Sequence, residues 1–310
     1  MSLRRTRRVK TLPNGPSRLR RLALVLPLSA AACVDDRVLV LGQSTPDTWH
    51  FSESRLLTEL ASTAKTDNPS LSADLLEMYF TSERTGNADL YLAERSSTQT
   101  SFSAPIRLDA LSTDGIETSP AVSADGLTLY WASDREGGLG DLDIWRATRP
   151  SRGAPWGPAE NQRALNSAGK DLPRLPGFHD SLMPISSDRA ERGYYAILFA
   201  RPSDGLDFVS PTPVPELHFE RESTVDGFLT EDGLTLFYVT GPAVGAADMF
   251  VASRRDTHAA FEHFTPLREL NTASDERDPW LSADGTRFFF SSNRSGRYAI
   301  YETDVSRAEP

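Results

Sequence analysis

Short apolar runs recur along the chain, each only three or four residues long and each fenced by polar or glycine-containing breaks. The first set is Met78-Tyr79-Phe80, Leu129-Tyr130-Trp131, Met183-Pro184-Ile185, Leu236-Phe237-Tyr238 and Phe288-Phe289-Phe290. A polar cluster follows: Ser82-Glu83-Arg84, Ser133-Asp134-Arg135, Ser187-Asp188-Arg189 and Ser292-Asn293-Arg294, with Thr240-Gly241-Pro242 in the fourth copy. A second apolar run comes next, as in Asp89-Leu90-Tyr91-Leu92, Asp143-Ile144-Trp145-Arg146 and Asp248-Met249-Phe250-Val251. Aromatic and β-branched runs between Gly- and Pro-rich breaks read as strands joined by tight hairpins. No helical period lies between them.

The pattern is a repeat. Leu71-Ser72-Ala73-Asp74, Val122-Ser123-Ala124-Asp125-Gly126, Leu229-Thr230-Glu231-Asp232-Gly233 and Leu281-Ser282-Ala283-Asp284-Gly285 are copies of one motif, and their Asp residues are 51, 107 and 52 positions apart. The middle gap is two periods, which places a degenerate copy at Leu175-Pro176-Gly177-Phe178-His179-Asp180. Asp-Gly suits a type I′ turn, whose two central residues both need positive φ. Each period opens with an aromatic residue on a connecting segment: Phe51, Phe102, Trp156, Phe208 and Phe261.

A period of this length holds four strands, one antiparallel sheet, which cannot cover both of its faces alone. Copies set radially around an axis cover them and leave short, protected edges. The expected fold is therefore all-β, a five-bladed β-propeller with units at about 51–101, 102–155, 156–207, 208–260 and 261–305. A β-sandwich would not demand five equal periods. The phase of the repeat predicts how the ring closes: a connecting strand at 51–60 precedes the first core motif, and the last core has none after it, so the N-terminal strand completes the C-terminal blade. A six-bladed ring is the competitor. Residues 34–50 are too few for another blade, although Arg37 to Leu41 would supply one strand.

These residues resemble the WD40-like β-propeller repeat of the TolB type: a proline, then Leu-Ser-x-Asp-Gly, an aromatic strand, Ser-Asp-Arg, a glycine-rich turn and Asp-Ile-Tyr. The unit from Ser119-Pro120 through Ser133-Asp134-Arg135-Glu136-Gly137-Gly138 to Asp143-Ile144-Trp145 matches closely, and the resemblance spans about residues 51–305. Propellers of this type have six blades, which is what makes six the competitor. The chain departs from the pattern at Asp74-Leu75, which lacks the turn Gly, at Pro184, expected to interrupt a strand, and at Thr240-Gly241-Pro242. The resemblance does not extend to the α/β domain that precedes the propeller in TolB, so the translocation role of that protein is not implied.

The first 32 residues differ in kind. They hold seven Arg, one Lys and no acid, and Leu22 to Ser29 form an apolar core that ends at Ala30-Ala31-Ala32-Cys33. A basic segment, a short apolar region and small residues before a cleavage point are the parts of an export signal. Leu22 to Ala32 is 11 residues, where a helix needs about 20 to cross a bilayer. Small residues before the chain's single Cys resemble a bacterial lipobox, which implies a signal peptide over 1–32, acylation of Cys33 and a lipidated tether over 33–50. Ala30 stands where that motif prefers Leu, and a secretory signal that happens to contain a Cys is the alternative. Two or three acyl chains meet the need for more than one chain in stable anchoring. Val34, where Asp would mark inner-membrane retention, favours the outer membrane of a Gram-negative envelope, with the propeller periplasmic or surface-exposed.

Charge and composition narrow the function. The 310 residues carry net charge −10, but without the first 32 the balance is 25 basic against 43 acidic side chains, −18. Such a surface repels phosphate backbones and excludes nucleic acid as the main partner. With one Cys the chain makes no intramolecular disulfide and no multi-thiolate zinc site. There is no GxSxG, HExxH or Walker A motif.

In a propeller the loop before the innermost strand and the turn after Ser-Asp-Arg share the face around the channel mouth. That predicts a polar binding rim of Arg84, Arg135, Arg189 and Arg294 with Asp67, Glu117, Asp171, Glu222 and Glu276. The structural alternative is that each Arg pairs with a carboxylate of a neighbouring blade. Asp134, Asp141 and Asp143 crowd the longest turn with oxygen ligands that would suit Ca²⁺, though without the EF-hand order; no other cofactor is implied. The function expected is a non-catalytic lipoprotein whose channel-mouth face binds an envelope protein or glycan. The alternative is a glycosidase-like enzyme using Glu117, Asp171 or Glu276, which requires paired carboxyl groups about 5 to 9.5 Å apart.

Overall fold

The computed structural model describes residues 48–174, 182–203, 207–219, 222–242 and 246–308. They form five antiparallel sheets and a three-residue 3₁₀ turn, Pro215–Leu217. Blade I is β3 (Thr66–Leu71), β4 (Glu77–Ser82), β5 (Asp89–Glu94) and β6 (Ile106–Arg107). Blade II is β7 (Glu117–Val122), β8 (Thr128–Ser133), β9 (Asp143–Thr148) and β10 (Glu160–Asn161). Blade III is β11 (Asp171–Pro173), β12 (Met183–Glu191), β13 (Tyr194–Pro202) and β14 (Phe208–Pro213). Blade IV is β15 (Glu222–Leu229), β16 (Thr235–Pro242), β17 (Asp248–Ser253) and β18 (Glu262–Pro266).

Blade V takes three strands from the C-terminal end, β19 (Glu276–Leu281), β20 (Arg287–Ser292) and β21 (Ala299–Ala308), and its outer edge from β1 (Thr48–Phe51) and β2 (Arg55–Leu56). Thr48 lies opposite Ala308, Phe51 opposite Val305, and Leu56 opposite Tyr301. The ring is thus a five-bladed propeller closed by the N-terminal strand, and the six-bladed alternative falls.

Each apolar run is the second or third strand of a blade and is buried on both faces, because a neighbouring blade covers each side. Tyr79, Phe80, Trp131, Phe237 and Phe288 to Phe290 are among the most deeply buried side chains. The aromatic residue on the connecting segment joins one blade to the one before it: Trp156 packs edge-on against Tyr79, Phe208 against Tyr130 and Phe261 against Phe199, with centroids 6.0 to 6.1 Å apart. Such ring pairs contribute about 0.5–1.5 kcal/mol beyond area burial. At the closure Trp49 makes the inter-blade contact, at 5.0 Å from Phe237, while Phe51 packs within its own blade on Phe288.

Three local expectations change. The Asp-Gly hairpins are not type I′: Gly126 N–H donates to Ser123 O, and only the Gly has positive φ, 73° at Gly126, 69° at Gly233 and 68° at Gly285. The Asp closes an ordinary turn, accepting the Ser123 hydroxyl and the Leu127 N–H in blade II, and the Gly takes the left-handed position after it. In blade I that position falls to Leu75, at φ 61°. Second, Pro184 interrupts nothing; it lies inside β12 opposite Phe199, and its carbonyl accepts Arg174 N–H. Third, four of the five innermost strands carry a bulge with one residue at positive φ: Asn68, Ser119, Asp226 and Asp278. Bulges of this kind re-aim side chains at functional or strained places. The degenerate motif at 175–180 lies outside the described residues, as do Cys33 and the segment expected to be an export signal.

Candidate functional site at the channel mouth

The predicted rim charges are built into the blades rather than displayed. Glu117, Asp171 and Glu276 begin β7, β11 and β19 and are all 0% exposed. Glu117 accepts the N–H and hydroxyl of Thr113 at 2.8 and 2.7 Å, the Ser133 hydroxyl at 2.9 Å and Arg135 Nη2 at 3.1 Å. Asp171 repeats this with Ser167, Ser187 and Arg189, and Glu276 with Thr272, Ser292 and Arg294. Each Arg also donates to a carbonyl of the preceding loop, at Leu111, Leu165 and Leu270. Arg135 lies over Trp131 and Trp145, and Arg294 over Phe290 and Tyr301. The Arg residues therefore pair within their own blade, not with a neighbour. A carboxylate with four donors, buried beneath an Arg stacked on two rings, holds the connecting loop down on its sheet.

Two assignments shift with the register. Opposite the Ser of each clamp stands Glu117, Asp171 or Glu276, but in blade I Thr66 faces Ser82, and in blade IV Thr224 faces Thr240. Asp67 is one residue past the clamp, buried and ion-paired to Lys65 at 2.6 Å. Burial raises its pKa, with Asp278 adding to the rise and Lys65 opposing it. Glu222 lies two residues before the clamp and is exposed. Arg84 keeps its clamp without an acid, donating to Ser82 and to Leu60 O and lying 4.7 Å over Tyr91. Blade IV has Pro242 where the others have Arg.

The long turn does not gather its carboxylates. Asp134 accepts Ile116 N–H, Asp141 pairs with Arg192, and Asp143 accepts N–H groups of Leu139 and Gly140 from its own turn. Among the described residues no group of three or more His, Cys, Asp or Glu is placed to hold a metal ion.

What the blades bring together on the axis is a different set. Arg174, just after β11, donates from Nη2 to Asn68 at 2.7 Å, to Asp226 at 2.7 Å and to Asp278. Ser119 donates to the same Asn68 oxygen at 3.2 Å. One guanidinium so ties four blades, and Ser119 brings in the fifth. All five side chains are buried. Asn68, Ser119, Asp226 and Asp278 are the bulge residues, so the positive φ is what turns these side chains to the axis. Burial opposes ionisation of Asp278, but Arg174, the Ser291 hydroxyl and the Asn68 N–H outweigh it and hold its pKa low. At Asp226 burial and the Asp278 charge outweigh Arg174, and its pKa is raised. The two carboxyl groups are pushed apart.

Above this cluster, on the channel-mouth face, a cavity of about 300 Å³ opens among blades III, IV and V. Leu172, Tyr195, Ser223, Val225, Asp226 and Arg277 line it. Burial opposes the charge of Arg277, but Asp226, Tyr298, Asp275 and Asp278 more than offset this. Its Nε is buried with no acceptor. The Tyr195 hydroxyl is pushed up to about 12, by burial first and then by Asp188 and Asp226, so it stays a donor. Cation, carboxyl, phenol and hydroxyl thus converge on a small cavity with two apolar walls, the make-up of a ligand site. None of these residues belongs to the repeated motif, which is why the sequence pattern did not single them out.

Fold and repeat together define the class: a five-bladed, TolB-like β-propeller that is not TolB itself. No protein-family model matches the chain, and no curated protein matches it. Among solved structures, TolB from Acinetobacter baumannii is similar at 16% identity and a TM-score of 0.53, over 80% of this chain and 56% of that one, so the chain spans little more than half its length. An endo-arabinase from Bacteroides thetaiotaomicron is similar at 14% identity and a TM-score of 0.55, over 79% and 95%. A thermostable family-43 glycoside hydrolase is similar at 10% identity and 0.54, over 82% and 92%. At these identities the likeness is one of fold.

Proposed function

We propose that the chain is a non-catalytic envelope lipoprotein whose propeller binds a protein or glycan partner through its channel-mouth face. The observation that carries this reading is the cavity of about 300 Å³ above the axial cluster, where Arg277 and Tyr195 present donors beside the Asp226 carboxyl. A ring tied on its axis by Arg174 is a rigid platform, and binding sites concentrate on loops held by such platforms. In this reading acylated Cys33 anchors the protein, the outer membrane is favoured over the inner, and residues 33–50 are the tether.

The glycosidase reading loses its named carboxylates, because Glu117, Asp171 and Glu276 are each fully engaged as clamps. One observation keeps it as a second reading. Asp226 and Asp278 are a carboxyl pair whose pKa values are driven apart, the pattern of an acid and a base, and sugar-cleaving enzymes share the fold. Against it, Arg174 binds both and occupies the space between them.

The test uses the full chain produced with Cys33 replaced by Ser, applied to envelope extract and to a panel of envelope glycans. Arg277→Met combined with Tyr195→Ala is expected to abolish capture while leaving the melting curve in place. Unchanged capture removes the channel mouth from consideration. Sugar release that disappears in Asp226→Asn assigns the enzyme instead.

A further inference from the structure

A larger cavity, of about 640 Å³, lies between blades III and IV on the face opposite the channel mouth. The repeat itself supplies the template for what it lacks. Arg95, Arg149 and Arg254 each follow the third strand of a blade. Each donates from Nε to a carbonyl of the first hairpin, Leu75 at 2.7 Å, Gly126 at 2.8 Å and Gly233 at 2.6 Å. Each guanidinium lies over the aromatic residue that opens the connecting segment, 4.4 Å over Phe102, 4.6 Å over Trp156 and 4.6 Å over Phe261.

In blade II the free end of this guanidinium has a partner. Arg149 Nη2 donates at 2.6 Å to Glu77 of blade I, and both side chains are buried. Glu77 is five residues before Ser82, the Ser of the blade I clamp. Five residues before Ser187, the corresponding Ser of blade III, stands Leu182. The position that would neutralise Arg254 is therefore apolar. Arg254 Nη2 is buried with no acceptor, and Leu182 and Arg254 both line the cavity. The carboxylates nearby are committed or turned away: Glu216 accepts Phe261 N–H, Asp232 accepts the Thr230 hydroxyl and Leu234 N–H, and Glu231 is exposed. Neither they nor Asp256 come within ion-pair distance of Arg254, whose pKa burial lowers against the weaker opposing pull of Glu216, Asp256 and Asp232. Phe199, Val214, Leu229 and Phe261 give the cavity apolar walls.

We infer that the cavity between blades III and IV binds a carboxylate carried on an apolar group, the ligand's carboxylate taking on Arg254 the place that Glu77 takes on Arg149. A buried guanidinium nitrogen without an acceptor, here Nη2, leaves a donor unsatisfied, and a carboxylate satisfies it with a charge-assisted bond. The cavity is within the range of small-ligand sites, and the apolar walls select against small hydrophilic anions. The chemistry fits a free aryl- or alkyl-carboxylic acid and equally the C-terminal carboxylate of a peptide ending in an apolar residue. This site is on the other face from the channel mouth and stands or falls separately from it.

The experiment is calorimetric titration of the Cys33→Ser full chain with 3-phenylpropionate, with its primary amide, and with a tripeptide ending in Phe as free acid and as amide. Saturable binding of the acids is expected, with at least a tenfold loss for the amides. Arg254→Gln removes the site. Leu182→Glu restores the partner that blade I provides, so it should fill the site from within, abolish binding and leave the fold intact even if Arg254→Gln unfolds. Tighter binding of the tripeptide acid than of phenylpropionate identifies a peptide C terminus, and the reverse a free acid. Absence of saturable binding to the unaltered chain, equal binding of acid and amide, or undiminished binding in Leu182→Glu overturns the inference.

Discussion

Replacing Arg174 by Met would leave Asp226 and Asp278 facing each other on the propeller axis with no cation between them. The three side chains are 7%, 9% and 4% exposed, so water cannot take over the role of the guanidinium. Breaking a buried ion pair by removing one partner costs about 3–5 kcal/mol. Here two carboxyl groups lose their partner and Asn68 loses a donor, which argues for the upper part of that range. For a domain of this size about 2–4 °C of melting temperature goes with each kcal/mol, so a fall of about 6–20 °C is expected. The assay is urea unfolding at pH 7, with the slope compared so that a change in the unfolded ensemble is not mistaken for lost stability. Two controls fix the cause. Adding Asp226→Asn and Asp278→Asn should recover much of the loss, since Asn keeps an acceptor and tolerates the positive φ of both positions. The single variant should also lose less at pH 4 than at pH 7. Without Arg174 both folded-state carboxyl pKa values rise above their unfolded ones, so the folded protein binds more protons and stability declines as pH climbs through that range. A loss below about 1 kcal/mol, or a triple variant no better than the single one, would refute the axial-tie reasoning.

The clamps should rank by charge. Glu276→Ala strips four donors of their acceptor and leaves the half-buried Arg294 without its carboxylate, costing about 3–5 kcal/mol, whereas Thr66→Ala at the same place in blade I costs about 1 kcal/mol; equal urea midpoints would show that the acid adds nothing. Deleting residues 48–56 bares the edge of β21 and should end cooperative unfolding, while a chain starting at Thr48 should melt like the full one; a sharp transition in the deletion would mean that closure by β1 and β2 is dispensable. Mass spectrometry of the exported protein should find Cys33 at the amino terminus carrying a thioether-linked diacylglycerol; a free thiol there, or no cleavage before it, ends the lipoprotein reading.

The architecture was legible because it repeats. Five apolar runs, four of them aromatic, recurring at one period fix the blade number, and the phase of the connecting segment fixes the closure that β1 and β21 make. The site was legible only where it follows the repeat. Glu117, Asp171 and Glu276 precede Ser133, Ser187 and Ser292 by 16 residues, and the same count back from Ser82 and Thr240 reaches Thr66 and Thr224. Aligning by chemistry instead of by spacing led to Asp67 and Glu222. The clamp role of Glu117, Asp171 and Glu276 was anticipated only as the structural alternative and with the partner in the wrong blade, since burial of a polar residue is decided by the loop folded over it. Asp226 and Asp278 escaped because bulges, which leave no compositional mark, bring them to the axis, and Arg174 because it follows β11 outside the repeated motif. Arg254 could have been found by comparing it with Arg149, whose partner Glu77 is replaced by Leu182 at the corresponding position.

The most direct test of the proposed working face is site-specific photocrosslinking in cells that produce the full chain. A photoreactive phenylalanine analogue replaces Tyr195 at the channel mouth in one version and exposed Ile106 on an outer strand in the other. Crosslinks to a discrete partner or to an isolated glycan fraction from position 195, lost when Arg277→Met is added and absent from position 106, are the expected result. Equal crosslinking from both positions, or crosslinking from position 106 alone, would contradict the assignment of function to the channel mouth.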